Sequence, residues 1–357
     1  MADRLWHTAR HFRRQADDCR ELGSPLYAGL LDHIAADLEG GGVSSDLLAE
    51  HPADRGDGLL PLRLMGGVHA LVLSRQAPEL ALFYPSVGGT ADPGADADLA
   101  WPALRDLLAG QADTIRPWLD RAPQTNEVGR GAALVGAMCQ LAAVDDLPIR
   151  LFEVGASAGL NLRADRFHIT GAGASYGDPA SPVRLLEAWR GVRPPDVPLR
   201  VVERSGGDLA PIDPATTEGR LTLTAYVWAD QVARIERLRG ALAIAAAVPA
   251  QVRAENAIAT VSRLTPTHGT WTLLWHSIFR QYLSQAERDA LSTAIAAVGA
   301  AATPAARFAH VFLEPASPAD GGFAEVIVTT WPGATRRRVG VAAAHGIPTT
   351  WLEEATT

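Results

Sequence analysis

The sequence contains no lysine, and all 32 basic residues among its 357 positions are arginine. Pyridoxal phosphate and other Schiff-base chemistry need a lysine amine, so both are excluded. A Walker A loop, which ends in G-K-[ST], is excluded for the same reason.

Cysteine is also scarce, since only Cys19 and Cys139 occur. They have neither C-x-x-C spacing nor the partners of a metal motif. His7 and His11 are four positions apart but lack a third ligand at matching spacing. We therefore predict no metal site, and a reducing, cytoplasmic environment.

A positive charge excess and long apolar runs are missing as well. The net charge of −8 at pH 7 leaves no basic footprint of the kind that binds nucleic acid. No apolar run reaches the roughly eighteen residues of a membrane span, so we expect no membrane association. The N-terminal residues contain no apolar segment of the kind found in signal peptides, so we expect no signal peptide. A homo-oligomer is compatible with the sequence.

Two domains are expected from the length and from a change of pattern near residue 126. Residues 1–125 have apolar residues at helical spacing and predict a helical N-terminal cap. Its predicted helices are Arg4–Leu22, Leu26–Leu38, Leu60–Arg75 and Leu99–Leu119.

Residues 126–357 alternate strand and helix signals, which favours an α/β fold around a mostly parallel sheet with right-handed crossovers. The predicted strands are Arg150–Val154, Leu199–Glu203, Gln251–Ala254, Trp271–Trp275 and Phe308–Leu313. Two further strands, Glu325–Trp331 and Arg336–Ala343, flank Pro332-Gly333 and predict an antiparallel C-terminal hairpin. A Gly/Pro-rich insertion at about 164–198 predicts a surface loop or, alternatively, a flap over a pocket.

One segment, Leu151–Leu162, reads as a strand, an acid, a small-residue turn and the start of a helix. Small residues let backbone approach a ligand, and a helix N-terminus offers free N–H groups. Two signatures fit this pattern. One is the nucleotide-type loop of a Rossmann-like sheet, with Glu153 as its acid. The other is G-x-S-x-G, the nucleophile elbow of α/β serine hydrolases, with Ser157 as nucleophile and Asp320 and His345 as its partners.

Over residues 126 to 352 the order of elements resembles the class I S-adenosylmethionine-dependent methyltransferases. The resemblance implies a Rossmann-like sheet under a helical cap, S-adenosylmethionine as cofactor and methyl transfer to a small-molecule acceptor. It places the following residues around the amino-acid end of the cofactor: Glu153, Gly155, Ala156, Ser157, Gly159 and Asn161. Ser157 stands where that family more usually has glycine.

The resemblance also assigns the other parts of the cofactor. Asp208, in a G-x-D-x-x-P stretch, is preferred over Glu203 as the acid for the ribose hydroxyls. Glu255 or Asn256 would hold the adenine amine, while His276 and Ser277 would face the transferred methyl group.

Three side chains are candidates for the chemistry itself. His276 is a candidate general base. Tyr282 could orient the substrate, and Glu127 lies in a segment expected above the cofactor edge. Glu314 is a further candidate, at the carboxyl edge of the fifth strand.

Other interpretations of single residues are structural. Ser277, Asp230 and Asn126 could each N-cap the next helix in the chain, and in the case of Asn126 that helix would be Glu127–Ala143.

A second resemblance is to an uncharacterised bacterial family known as a domain of unknown function. The blocks that carry it are Gln124–Arg130, Glu153–Leu162, Gly177–Val183, Tyr226–Gln231, His276-Ser277 with Gln281-Tyr282, and Trp331–Gly333. This resemblance implies the same broad fold and no established reaction. A non-catalytic or non-methylating protein that binds S-adenosylmethionine therefore stays open beside the methyltransferase and the hydrolase.

Overall fold

The computed structural model describes residues 2–51, 59–90, 96–316 and 323–353. The chain divides into two units. The first contains Met1–Thr125 together with Thr216–Ile235, and the second contains Asn126–Ala215 together with Glu236–Thr357. The sequence placed residues 216–235 in the second domain, and the structure corrects this.

The helices are α1 (Ala2–Glu21), α2 (Pro25–Glu39), α3 (Val43–Leu48), α4 (Leu60–Leu73), α5 (Pro78–Ala81), α6 (Asp96–Gly110), α7 (Ala112–Leu119), α8 (Gly131–Val144), α9 (Thr217–Ala225), α10 (Val232–Ala247), α11 (Ala257–Ser262) and α12 (Gln285–Ala300). Short 3-10 helices cover Pro85–Val87, Val128–Arg130, Asn161–Arg166 and Arg280–Tyr282. Among the described residues, no helix is long and apolar enough to cross a membrane.

The strands are β1 (Ile149–Val154), β2 (His168–Gly171), β3 (Ala174–Tyr176), β4 (Arg184–Gly191), β5 (Val201–Asp208), β6 (Gln251–Ala254), β7 (Trp271–Ser277), β8 (Arg307–Pro315), β9 (Ala324–Trp331), β10 (Thr335–Ala342) and β11 (Thr349–Trp351).

The first unit is helical, as its apolar spacing predicts. Leu26, Leu30, Ile34 and Leu38 lie on one face of α2 and are completely buried. The expected single helix over 99–119 is two helices, because Gln111 leaves helical geometry with φ −123° between α6 and α7.

Residues 216–235 belong to this unit because their side chains pack among its helices. Asp230 accepts hydrogen bonds from the hydroxyl of Ser24 at 2.5 Å and from the backbone N–H of Leu26 at 3.1 Å. It therefore caps α2 rather than the helix after it in the chain, contrary to the sequence prediction. Tyr226 lies so close to Gly66 that a Cβ there would sit 2.7 Å from its ring.

The second unit is α/β, and its described strands form one mixed, mostly parallel sheet in the order β3-β2-β4-β11-β10-β9-β8-β7-β1-β5-β6. Strands β6, β5, β1, β7 and β8 are parallel neighbours. The chain order reverses between β1 and β7, as in doubly wound sheets that bind ligands at such a switch point. The hairpin β9–β10 is antiparallel, as predicted.

The insertion is part of the sheet rather than a surface loop, which corrects the sequence prediction. Strands β2, β3 and β4 extend the sheet beyond β11. Ile169, Leu185 and Trp189 are buried on these strands. The glycines that suggested a loop turn the chain between β2 and β3, where Gly171 and Gly173 have φ of 140° and 70°.

Helices cover the sheet of this unit through apolar side chains. Trp189 donates its indole N–H to the carbonyl of Ala132 in α8 at 2.9 Å, and Gly136 of α8 lies against Trp351, where a Cβ would clash. Alternate residues of β1, Phe152 and Val154, share a buried cluster with α11 and α12.

Candidate functional site

The candidate site lies at the carboxyl ends of the parallel strands around the switch between β1 and β7. Glu153 is near the end of β1 and faces Trp275 of β7 in register. Asp208 ends β5, and Glu314 lies one residue before the end of β8. Because parallel strands end at the same edge, the topology gathers these acids with His276 of β7.

The loop after β1 has an unusual backbone. Gly155, Ser157 and Gly159 have φ of 66°, 50° and 64°, the left-handed region that favours glycine. At Ser157 this conformation is held from outside: its N–H donates to Asp208 at 2.8 Å. The next part of the loop is held by Asn126, whose side-chain oxygen accepts from the N–H of Leu160 at 2.8 Å.

The expected helix from Gly159 onward is absent from the described chain. The loop leads instead into the 3-10 helix Asn161–Arg166, with Arg163 at φ −113° and ψ 15° inside it. Arg163 binds the carbonyls of Gly159 at 2.7 Å and Val248 at 2.7 Å. This arginine occupies the carbonyl of Gly159, and the segment that follows the loop is a 3-10 helix rather than the expected α-helix.

Three buried polar atoms at this end of β1 have no hydrogen-bond partner among the described residues: Glu153 Oε2, Ser157 Oγ and Asn161 Oδ1. Native proteins rarely leave such atoms unpaired, and a bound ligand or water is a usual explanation. The Nδ2 of Asn161 is engaged, since it donates to the carbonyl of Glu127 at 3.1 Å.

Glu153 is the most unusual of these groups, with 2 % of its surface exposed. Burial raises the pKa of its carboxyl well above the ordinary value, and the negative charge of Asp208 acts in the same direction. Arg130 and Arg163 oppose this shift in pKa, as does the indole of Trp275, which does not reach hydrogen-bond geometry. Without a bound cation, the neutral form of Glu153 is favoured.

The two acids proposed for the ribose lie at opposite ends of β5. Glu203 is near the amino end and is paired with Arg150 at 2.6 Å. Asp208 is at the carboxyl end, where its two oxygens accept from the N–H groups of Ser157 and Ala210 at 2.8 and 2.9 Å. The structure therefore places Asp208, and not Glu203, beside the loop.

The acid and amide expected at the adenine both have protein partners. Glu255 accepts from the hydroxyl of Thr260 at 3.0 Å and forms an ion pair with Arg263. Desolvation is the largest single influence on the pKa of this half-buried carboxyl and raises it, but the contacts with Arg263 and Thr260 and the charge of Arg253 together outweigh it, so the pKa is lowered. Asn256 N-caps α11 by accepting from the N–H of Ala259 at 2.8 Å. Both side chains therefore have structural roles.

His276 is buried and hydrogen-bonded to Glu314. Its Nδ1 lies 2.8 Å from the carboxylate Oε1. Ser277 is the last residue of β7 and does not cap a helix, which corrects one of its two interpretations. The reason is that Ile278 turns the chain at φ 47°, and α12 is capped only later, by Ser284.

The segment after β7 closes over the loop. Phe279 lies against Gly155 so tightly that a Cβ on the glycine would clash with its ring. Tyr282 ends the adjoining 3-10 helix and is 46 % exposed.

Glu127 is buried and acts as a cap. Its Oε1 accepts from the N–H of Gly129 at 3.0 Å at the start of the 3-10 helix Val128–Arg130. The predicted cap Asn126 is engaged with Leu160 instead, so the expected helix Glu127–Ala143 begins as a 3-10 turn and becomes α-helical at Gly131.

The geometry lacks the contact that a serine nucleophile needs. Ser157 Oγ forms no hydrogen bond to a histidine or to any other described residue. Asp320, the acid expected for this role, lies outside the described residues. Among the described residues, no group of three or more His, Cys, Asp or Glu side chains is arranged to hold a metal ion.

Two contacts of the candidate site were not predicted from the sequence. The first is the packing of Phe279 on Gly155, and the second is the hydrogen bond from Arg163 to the loop carbonyl of Gly159. Neither could be read from the sequence, because Phe279 is far from Gly155 in the chain and the Arg163 contact belongs to a 3-10 geometry that the sequence did not predict.

The family model described as "Uncharacterized protein conserved in bacteria (DUF2332)" matches residues 9–351. The chain belongs to this family. The resemblance to a bacterial family of unknown function is thereby confirmed, and the match covers most of both units. No curated protein and no solved structure matches the chain. Family membership assigns no reaction, so function has to be inferred from the geometry of the site.

Proposed function

We propose that this protein binds S-adenosylmethionine and transfers its methyl group to a small-molecule acceptor. The observation that carries the proposal is Glu153, a buried carboxylate at the switch point of the sheet with an unpartnered oxygen. A ligand with a positively charged amine would satisfy that oxygen and favour the ionised carboxylate. The amino-acid end of S-adenosylmethionine carries such an amine.

The neighbouring groups fit the same end of the cofactor. Ser157 Oγ and Asn161 Oδ1 offer one hydroxyl and one amide oxygen without partners. Asp208 uses each carboxylate oxygen once, and a carboxylate has further lone pairs for ribose hydroxyls. The Rossmann-like methyltransferase interpretation of the sheet is consistent with this placement.

When bound, S-adenosylmethionine supplies an electrophilic methyl group on a sulfonium that is a good leaving group. The chain's own part is then to hold the reactants in line and to exclude water. Phe279 would cover the loop, Glu153 would hold the amine, and His276 lies at the adjacent strand end, where the acceptor would meet the methyl group. No side chain has to form a covalent bond.

The test is isothermal titration with S-adenosylhomocysteine after any co-purified ligand has been removed. We expect micromolar affinity, about −8 kcal/mol. Glu153→Gln should weaken binding by about 1.5–3 kcal/mol, roughly ten- to a hundredfold, because a hydrogen bond between two charges is lost. Asp208→Asn should also weaken it, since one amide oxygen cannot serve both N–H groups.

The matched control is Glu203→Gln, which changes the competing acid at the other end of β5 and should leave the affinity unchanged. Repeating the titration in two buffers of different ionisation enthalpy gives the number of protons released when the ligand binds. Wild type should release protons as Glu153 ionises, and Glu153→Gln should release fewer. Equal affinities for wild type, Glu153→Gln and Asp208→Asn, or no binding to an empty site, would contradict the proposal. Binding without turnover of any nucleophile would retain the cofactor and reject the transferase.

A further inference from the structure

Glu314 is a buried carboxylate on which three hydrogen-bonding groups converge. Its Oε1 lies 2.8 Å from Nδ1 of His276 and accepts from the N–H of Phe279 at 2.9 Å. The N–H of Arg280 reaches both oxygens, at 3.3 and 3.4 Å. Backbone N–H groups can only donate, so Glu314 is the acceptor toward Phe279 and Arg280, and we assign it the same role toward His276. Nδ1 of His276 is then the nitrogen that carries the proton.

The state of one imidazole nitrogen fixes the other. A neutral imidazole has one N–H and one bare nitrogen, so a proton on Nδ1 leaves Nε2 with a free lone pair. Nε2 of His276 makes no hydrogen bond with the described residues. The ring cannot easily rotate out of this arrangement, because it stacks on Phe312 with ring centroids 5.3 Å apart and planes within 2°.

A single side chain, that of Phe279, lies between His276 and the loop after β1. The ring of Phe279 is 5.8 Å from the imidazole, centroid to centroid, and the same ring rests on Gly155. Because Glu314 holds the N–H groups of both Phe279 and Arg280, it positions the imidazole and the covering segment together.

We propose that Glu314 is a positioning residue that holds His276 as a general base, and that the acceptor is a nucleophile which must lose a proton: a hydroxyl, a thiol or an N–H. This inference rests on the proposed function. With S-adenosylmethionine bound, His276 Nε2 would take that proton while the acceptor's lone pair forms the bond to the methyl carbon and the carbon–sulfur bonding pair goes to sulfur. The imidazolium, stabilised by Glu314, then returns its proton to water.

The test is ¹⁵N NMR of histidine-labelled protein without ligand at pH 8. Couplings between ring nitrogens and carbon-bound protons distinguish the two tautomers, and His276→Gln identifies the signals. Wild type should show His276 with its proton on Nδ1. Glu314→Gln should keep this tautomer, because the amide oxygen can accept from the same donors. Glu314→Ala should lose it.

A purely structural role for Glu314 would not move the tautomer. If wild-type His276 carries its proton on Nε2, or if Glu314→Ala leaves the tautomer unchanged, the inference is overturned. The wild-type spectrum decides even when Glu314→Ala does not fold. Titration of the same samples with S-adenosylhomocysteine separates the two proposals: a correct tautomer without binding rejects the cofactor alone, and binding with the wrong tautomer rejects the base alone.

Discussion

Replacing Glu153 by glutamine should stabilise the ligand-free protein, although it removes the group that would bind the ligand. The carboxyl is buried and its pKa is raised, first by desolvation and then by Asp208. Glutamine has the same shape and never ionises. The substitution therefore removes a group whose charged form the folded state disfavours.

The sign and size of the effect can be derived from proton linkage. A carboxyl with a higher pKa in the folded than in the unfolded state binds more protons when folded. The free energy of unfolding therefore falls as pH rises above the unfolded pKa, by about 1.4 kcal/mol per pH unit until the folded pKa is passed. In a domain of this size, that corresponds to roughly 3–6 °C in Tm for each pH unit. Glu153→Gln should lack this contribution.

The assay is urea unfolding of wild type and variant at pH 4, 5, 6, 7 and 8, since the difference between the two cancels the titration of the rest of the chain. We expect equal stability near pH 4 and a growing advantage for Glu153→Gln above it. Glu203→Gln serves as the control, because it removes a partly exposed partner of Arg150 and should cost at most about 1 kcal/mol. Parallel curves for wild type and Glu153→Gln would refute the reasoning, as would a variant less stable than wild type at pH 8.

Two further predictions concern the helical unit and the packing of the sheet. Burial lowers the pKa of His69 to about 4. The free energy of unfolding of the first unit should therefore fall by up to about 3 kcal/mol as pH falls from roughly 6.5 towards 4. Urea unfolding of His69→Gln should lack this acid-dependent loss, and a pH profile equal to that of wild type would contradict the prediction. Gly136→Ala should destabilise by about 1–3 kcal/mol, because the added methyl clashes with Trp351. Gly110→Ala, where a Cβ meets nothing within 4 Å, should be neutral or stabilising in the same melts.

The central strands β1, β7 and β8 were predictable because they are buried on both faces and read as nearly continuous apolar runs. Strand β7, for example, is buried from Trp271 to His276. The edge strand β6 is largely exposed and is not of this kind, although it has the predicted bounds 251–254. The positions of the acids and the histidine at the strand ends are explained by the rule that parallel strands end at one edge. This part of the candidate site was therefore within reach of sequence reasoning.

The caps were not predictable, for a physical reason. Capping rules are local, and they assign an Asn or Asp to the next helix in the chain. In this fold Asn126 accepts from Leu160, and Asp230 accepts from Ser24 and Leu26. Any amide without a partner can recruit a side chain that is distant in the chain, and the sequence does not show which amides are near.

The glycine-rich segments were also predicted wrongly. The insertion was expected to be a loop, although its glycines only turn the chain between strands that add to the sheet. The small residues after β1 were expected to open a helix, but Arg163 binds the loop carbonyls and the chain forms a 3-10 turn. Composition indicates where the backbone bends, whereas side chains elsewhere decide which element forms after the bend.

Two buried carboxylates at one edge of the sheet differ in a way that bears on function. Glu314 receives three donors from His276 and the adjoining backbone, while Glu153 has an oxygen that receives none. A fold that needed both acids only for its own stability would have to provide donors for both, since an unpaired buried polar group costs about 1–3 kcal/mol. Glu314 can therefore hold its neighbours in place, and this contrast supports the proposal that Glu153 binds a cation from outside the chain.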